Sequence, residues 1–305
     1  MMREPFRGVF SIPVTPFSDD LSVDYKAFRG IISYLLEVGV NGIVLAGNIA
    51  ELDQLTFEER QELTRIAIEI CNEKVPVVVG VTDASVRSAM LHAKNAQNLG
   101  ASAVVAMTPF IGPLTVDEIF GYFKSIDSAI NIPLIVQSLF DSAGVMLPQQ
   151  LMQRLLIELP NVQYVLEESR FTLQGISQLV KMKENSQEGV ISGVMSGRQG
   201  LHLVEDHGRG ACGNIAGGAL SPVLSFVWKL LDDKKTDIAQ ESLKRALWLM
   251  YYGRCYPVIM EKEIYRRRGL MNNTLMRLSH DASFDRINER ELDWMIDACA
   301  DLLKI

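Results

Sequence analysis

The chain of 305 residues is long enough for one large domain with an extensive core, and 48% hydrophobic with 22% charged content is ordinary for a globular protein. A net charge of −7 and a pI near 5.3 argue against a nucleic-acid partner, which favours a basic face. No apolar run reaches membrane-spanning length and the opening "MMREPFRGVF" lacks the long apolar core of a signal peptide, so a cytoplasmic protein with no membrane partner is expected.

Short β-branched apolar runs alternate with longer helical patterns from Val9 to about Ala219. In order, the strand candidates are "VFSIPV" at Val9, "GIVLAG" at Gly42, "VPVVVGV" at Val75 and "AVVAMTP" at Ala103. "PLIVQS" at Pro133, "QYVLEES" at Gln163, "GVISGV" at Gly189 and "ACGNIAG" at Ala211 follow. Near-continuous apolar strands imply burial on both faces, as in a parallel sheet. Between them, Phe28, Ile31, Ile32 and Leu35 make one helical stripe, and Met152, Leu155, Leu156 and Leu159 make another. Thr56 with Glu59 and Thr115 with Glu118 are capping boxes, in which a hydroxyl and a carboxylate satisfy free helix-end amides. Eight strand–helix units in this length predict an α/β fold of the (β/α)8 TIM-barrel class. An open doubly wound sheet is the competing fold, although the first strand–helix turn lacks a glycine-rich phosphate loop.

After "DDKKTD" at Asp232 the pattern becomes helical, with candidates at 238–254, 257–268 and 289–303 and a loop over "NNTLMRLSHDASFD". The expected organisation is a barrel over residues 1–225 and a small C-terminal helical extension over 226–305. Cys71, Cys212, Cys255 and Cys299 are scattered with no metal-like spacing and read as reduced thiols.

Barrel chemistry sits at the C-terminal ends of the strands. Those ends fall at Thr15, Gly47–Glu51, Thr108–Gly112, Gln137–Gly144, Leu166–Ser169, Gly193–Gly200 and Asn214–Gly218, and several carry polar groups that a core alone does not require. With these segments in order, the chain resembles the dihydrodipicolinate synthase/N-acetylneuraminate lyase superfamily along nearly its whole length. "SIPVTPFSDD" is similar to that family's opening strand and its turn. "GIVLAGNIAELDQLTFEER" has the layout of its second strand and Gly-Thr-Thr-Gly-Glu loop, and "AMTPFIGPLTVDEIFGYFKSI" matches its Thr-Pro-Tyr-Tyr segment and helix. The resemblance implies imine chemistry on a 2-oxo acid: a barrel lysine condenses with the ketone, a tyrosine shuttles protons, and the loop binds the carboxylate.

Carried over by residue, the lysine position falls on Leu166, the tyrosine on Gln137 and an arginine on Ser142. The paired threonines fall on Asn48 and Ile49, and two further tyrosines on Phe110 and Ile111. Gly47, Glu51, Thr108, Pro109, Gly144 and Glu167 are retained. A leucine cannot form an imine, and Lys74, Lys124, Lys181 and Lys183 are placed away from the strand ends, so chemistry without a Schiff base is expected.

Of the remaining groups, Glu51, Gln137 and Glu168 are the candidates for acid/base chemistry. Glu51 reads first as a brace for its turn, with proton transfer as the other reading. Strand alternation sends Glu167 and Glu168 to opposite sides, and Glu168 faces the lumen if Leu166 does, either as an acid or base among apolar walls or as a solvated rim carboxylate. Gly47, Asn48, Thr108, Ser138, Leu166, Ser192 and Asn214 are the candidate substrate-binding residues, with polar filling of an inherited cavity as the other reading. "SGRQGLHLVEDHGRG" from Ser196 places glycines and Arg198 before a helix, either an anion site or a plain strand–helix turn.

Two classes stay open: a lyase-type enzyme on a small oxo or hydroxy acid using carboxylates in place of the imine, and a non-catalytic descendant that keeps the barrel for binding or assembly. A metal-dependent aldolase ranks last for want of a His/carboxylate cluster, and neither metal nor cofactor is expected. The expected partner is a small-molecule carboxylate. The resemblance also implies a homodimer or homotetramer, meeting partly through the apolar "FIGPL" at Phe110.

Overall fold

The protein is described by a computed structural model over residues 5–109, 112, 114–139, 147–185, 191–278 and 284–303. The positions Phe110, Ile111, Ser142 and Gly144, and most of "FIGPL", lie outside the described residues.

The strands are β1 (Gly8–Ile12), β2 (Gly42–Leu45), β3 (Val77–Gly80), β4 (Ala103–Met107), β5 (Leu134–Leu139), β6 (Val162–Glu168), β7 (Gly193–Ser196) and β8 (Gly213–Gly217). They form a closed parallel barrel in sequence order. β8 pairs back onto β1 from Gly8↔Gly213 to Ile12↔Gly217, which removes the open-sheet alternative.

The helices of the barrel are α1 (Tyr25–Val38), α2 (Phe57–Cys71), α3 (Val86–Leu99), α4 (Val116–Asp127), α5 (Gln149–Glu158), α6 (Thr172–Asn185), α7 (Leu203–Gly208) and α8 (Ser221–Asp232). Both expected capping boxes are made, at Thr56–Glu59 and Thr115–Glu118. α1 ends at Gly39, whose φ of 87° a side chain would resist.

Alternation along the strands separates two apolar layers. Val9, Ile43, Val79, Val104, Val136 and Val165 point outwards under the helices, in the large core between sheet and helices. Phe10, Val44, Val78, Val105, Ile135, Tyr164, Leu166, Met195 and Ile215 point inwards and fill the barrel. The lower end is closed by Phe6, which stacks on Tyr164 at 4.8 Å between ring centroids and donates its N–H to the Tyr164 hydroxyl at 3.0 Å.

β7 begins at Gly193, four residues later than "GVISGV" suggested. Ser192 therefore precedes the strand, and its N–H donates to the Gln163 carbonyl at the start of β6, at the end of the barrel opposite the mouth.

The extension comprises α9 (Thr236–Cys255), α10 (Pro257–Arg267), α11 (Arg286–Asp297) and α12 (Ala300–Leu303). α9 packs on α8 and α10 packs on the turn after β8, so the extension is seated directly on the barrel. The boundary expected at residue 225 falls inside α8. The four cysteines are free, and no helix among the described residues is long and apolar enough to cross a membrane.

Candidate functional site

Leu166 lies in the inner layer of β6, in register with Gln137 of β5 and Met195 of β7. The lysine position of the resemblance is thus an apolar plug, 4% exposed. Glu168, two residues further along β6, returns to the inner side one layer nearer the mouth. Its carboxylate accepts the Gln137 side-chain amide at 2.7 Å and the Arg198 backbone N–H at 2.7 Å. Arg198 completes the clamp by donating its guanidinium to the carbonyls of Glu168 and Ser169 at 2.9 and 2.8 Å. A Cβ on Gly197 would land inside the Glu168 carboxylate, so glycine is required there by close approach.

The loop carrying Arg198 is strained. Arg198, Gln199 and Gly200 have φ of 51°, 59° and 75°, and the two non-glycine residues each cost about 1–2 kcal/mol in that conformation. Their side-chain and backbone bonds hold them: Arg198 to Glu168, and Gln199 Oε1 to the N–H of Gly217 at 2.8 Å. The anion site considered for this run is not formed, because Arg198 is turned onto β6 and α7 is a six-residue helix.

Glu51 is 5% exposed and follows β2 in a turn with φ of 48°. Its carboxylate pairs with Lys262 of α10, which is fully buried. The Lys262 ammonium also donates to the Leu275 carbonyl at 2.5 Å and lies 4.5 Å from the Phe17 ring centroid. Burial pushes the Glu51 carboxyl up and the Lys262 amine down, and the opposite charge of each partner works against that shift. Glu51 is thereby a brace that ties the β2–α2 loop to the extension, and Thr15 pins the same loop by donating to the Ala50 carbonyl at 2.6 Å.

Lys262 is a buried lysine of the extension, packed over the end of β2, that sequence reasoning missed. It sits in "PVIMEKEIYRR", where Glu261, Lys262 and Glu263 are all buried against the expected amphipathic logic. Three consecutive charges in a short helix that starts with proline were the only available signal. Enclosed and doubly bonded, its amine is not presented to a ligand.

A cavity of about 770 Å³ opens over the ends of β2 to β5. Gly47, Asn48 and Gln137 line it, with Met107 at the end of β4 and Arg60 and His92 from α2 and α3. Arg60 donates to the Gly80 carbonyl at 2.8 Å, and its other nitrogen lies 3.1 Å from His92 Nε2. Burial pulls Arg60 down to about 10, so it stays cationic at neutral pH. Burial and the Arg60 charge pull His92 down to about 4, so it is neutral there. A second cavity of about 390 Å³ lies between Asn48, Glu51 and the α9–α10 junction.

Three predicted site residues stand apart from the lumen. Ser138 has the outward phase of β5, in register with Glu167, and faces the α5–α6 side of the wall. Asn214 has the outward phase of β8, where it donates to Ser196 Oγ at 2.9 Å and the Gly197 carbonyl at 3.1 Å and braces the strained loop. Ser192 lies at the opposite end. Thr108 is buried just after β4 but does not line the large cavity. Among the described residues no cluster of three His, Cys, Asp or Glu is placed to hold a metal.

A sequence model of the dihydrodipicolinate synthetase family matches residues 5–217. Curated relatives include the 4-hydroxy-tetrahydrodipicolinate synthases of Afipia carboxidovorans and Archaeoglobus fulgidus. The first is 32% identical over 160 residues, 52% of this chain and 53% of the relative. The second is 32% identical over 176 residues, 58% of this chain and 59% of the relative. The chain spans about half the length of the curated relatives it matches. Whole-fold similarity is broader. The dihydrodipicolinate synthase of Rhodopseudomonas palustris superposes with a TM-score of 0.89 at 23% identity, covering 96% of this chain and 97% of that one. The chloride-inhibited, pyruvate-complexed enzyme of Acinetobacter baumannii gives 0.87 at 25% identity, covering 97% and 99%.

Proposed function

The chain belongs to the dihydrodipicolinate synthetase family, and from that premise we propose that it takes a small 2-oxo or hydroxy acid at the barrel mouth and acts on it without an imine. What supports this reading is a buried Leu166 in the inner layer of β6, at the position to which the resemblance assigns the reactive lysine, with a carboxylate, Glu168, one layer above it. The ligand would sit in the cavity beside Gln137 and Asn48, with Arg60 as a cation on the wall. Gln137 already donates to Glu168, so a ligand that takes over this amide frees the carboxylate to accept or return a proton. Breaking a carbon–carbon or carbon–oxygen bond next to a carbonyl then proceeds as a proton-transfer lyase reaction.

A panel of 2-oxo and hydroxy acids screened by thermal shift identifies the ligand, and turnover is then followed with it. Glu168→Gln is expected to lose about 100-fold or more in turnover while keeping affinity. Undiminished turnover in that variant refutes the reading. A second reading has its own support: Glu168 is satisfied by both Gln137 and Arg198 above a filled lumen, as suits a non-catalytic binder. Thermal shift with no turnover of the same ligand decides for it. We further propose a homodimer or homotetramer, with the barrel and extension as one folding unit in each subunit.

A further inference from the structure

Outside the barrel wall, α5 and α6 part over the ends of β5 and β6 to leave a crevice of about 380 Å³. It is independent of the mouth, because its floor is made by the outward residues Ser138 and Glu167, neighbours in register on the two strands. They are 4% and 5% exposed. The Glu167 carboxylate accepts the Ser169 N–H at 2.8 Å and rests against α6 at Gly175, where a Cβ would stand 2.8 Å from the Glu167 carboxyl carbon. Glycine at that point lets the helix lie over the acid without displacing it.

The walls are apolar and adaptable: Leu147 and Met152 on one side, Leu179 and Met182 on the other. Two pairs of glutamines form the rim, Gln149 and Gln153 on α5 and Gln174 and Gln178 on α6. Each pair is spaced i, i+4, so it lies on one helix face and the pairs flank the opening. No lysine, arginine or histidine is among the described lining residues.

From this arrangement we propose that the crevice binds a small organic ammonium ion, its charged head against Glu167 and its aliphatic body between the methionines and leucines. The volume is that of a small-ligand pocket, and an acid floor, a neutral amide rim and a described lining without cations together favour a positive charge. Burial pushes the Glu167 carboxyl above the usual carboxylate range, and nearby Glu168 adds to the effect. The Ser169 bonds and the Arg198 charge pull the other way without cancelling the shift, and a bound ammonium adds counter-charge from the crevice side. Neither wall nor floor includes a residue assigned to proton transfer, so the crevice is a second site on the molecule.

The test uses the full chain and three probes of one length: n-pentylammonium, n-pentanol and n-pentanoate, titrated by calorimetry. Pentylammonium is expected to bind at least about tenfold more tightly than the alcohol, and pentanoate not at all, as follows from a charge-assisted hydrogen bond. Glu167→Gln keeps an oxygen for the Ser169 N–H and should bring pentylammonium down to the affinity of pentanol. Gln178→Trp, on an exposed rim position, leaves the floor intact and should abolish binding of both by filling the opening. The proposal is overturned if pentylammonium does not bind, if it binds no better than the alcohol, or if Gln178→Trp leaves its affinity unchanged. Should Glu167→Gln fail to fold, the probe series and the rim variant decide alone.

Discussion

Lys262→Met removes one partner of the ion pair that fastens the β2–α2 loop to α10. Methionine is close in length and fills the space, so the change isolates charge and hydrogen bonding from packing. The wild-type amine is fully buried and engages Glu51, the Leu275 carbonyl and the Phe17 ring. Removing one member of such a buried pair leaves an uncompensated charge, and the expected loss is about 3–5 kcal/mol near pH 7. Glu51→Gln in the same chain removes the stranded carboxylate, so the double variant should cost less than the sum of the two single ones. The pH dependence has a definite sign. Burial already raises the Glu51 carboxyl above its unfolded value, and loss of Lys262 removes the opposing pull. A group raised on folding stabilises below its unfolded pKa and loses that contribution as pH rises through the folded one. The Lys262→Met variant should therefore recover part of its deficit, relative to wild type, between about pH 7 and pH 5. Urea unfolding of wild type, both single variants and the double variant at these two pH values measures it. A loss below about 1 kcal/mol near pH 7, the range of an exposed pair, or a deficit that grows on acidification would refute the buried-pair reasoning.

Borohydride with pyruvate should leave the intact mass of wild type unchanged, whereas trapping at a single lysine would show that Leu166 does not stand in the reactive position. Leu166→Lys should become trappable, because an amine in this apolar lumen is held partly neutral, yet turnover should stay absent since Gln137 is no phenol; recovered aldolase activity would count against this. Gly197→Ala should cost about 1–3 kcal/mol by chemical denaturation, as the new methyl displaces Glu168 from Gln137 and Arg198, and a neutral result would contradict that packing. Thr56→Ala should cost about 1 kcal/mol through loss of the α2 cap, read by the same unfolding curves. Light scattering at micromolar concentration should report a homo-oligomer, and a monomer would overturn the proposed assembly.

Periodicity carried the barrel. Runs such as "VPVVVGV", between stripes such as Phe28, Ile31, Ile32 and Leu35, specify strands buried on both faces and helices buried on one, which is local information. The caps at Thr56 and Thr115 were legible for the same reason, since their partners lie three residues away. The inward phase of Leu166 and Glu168 followed from alternation once β6 was placed. Where phase depended on a strand boundary or on which side a neighbour presents, the sequence was silent: Ser192 fell below β7, and Ser138 and Asn214 turned outwards. The Lys262–Glu51 pair and the Arg198 clamp on Glu168 were decided only by the tertiary structure. The first joins residues more than two hundred positions apart, and the second depends on a loop held at positive φ by contacts with β6 and β8. Burial of a charge is set by what folds over it, and a helix placed by the closing of the whole barrel brings that cover from the far end of the chain.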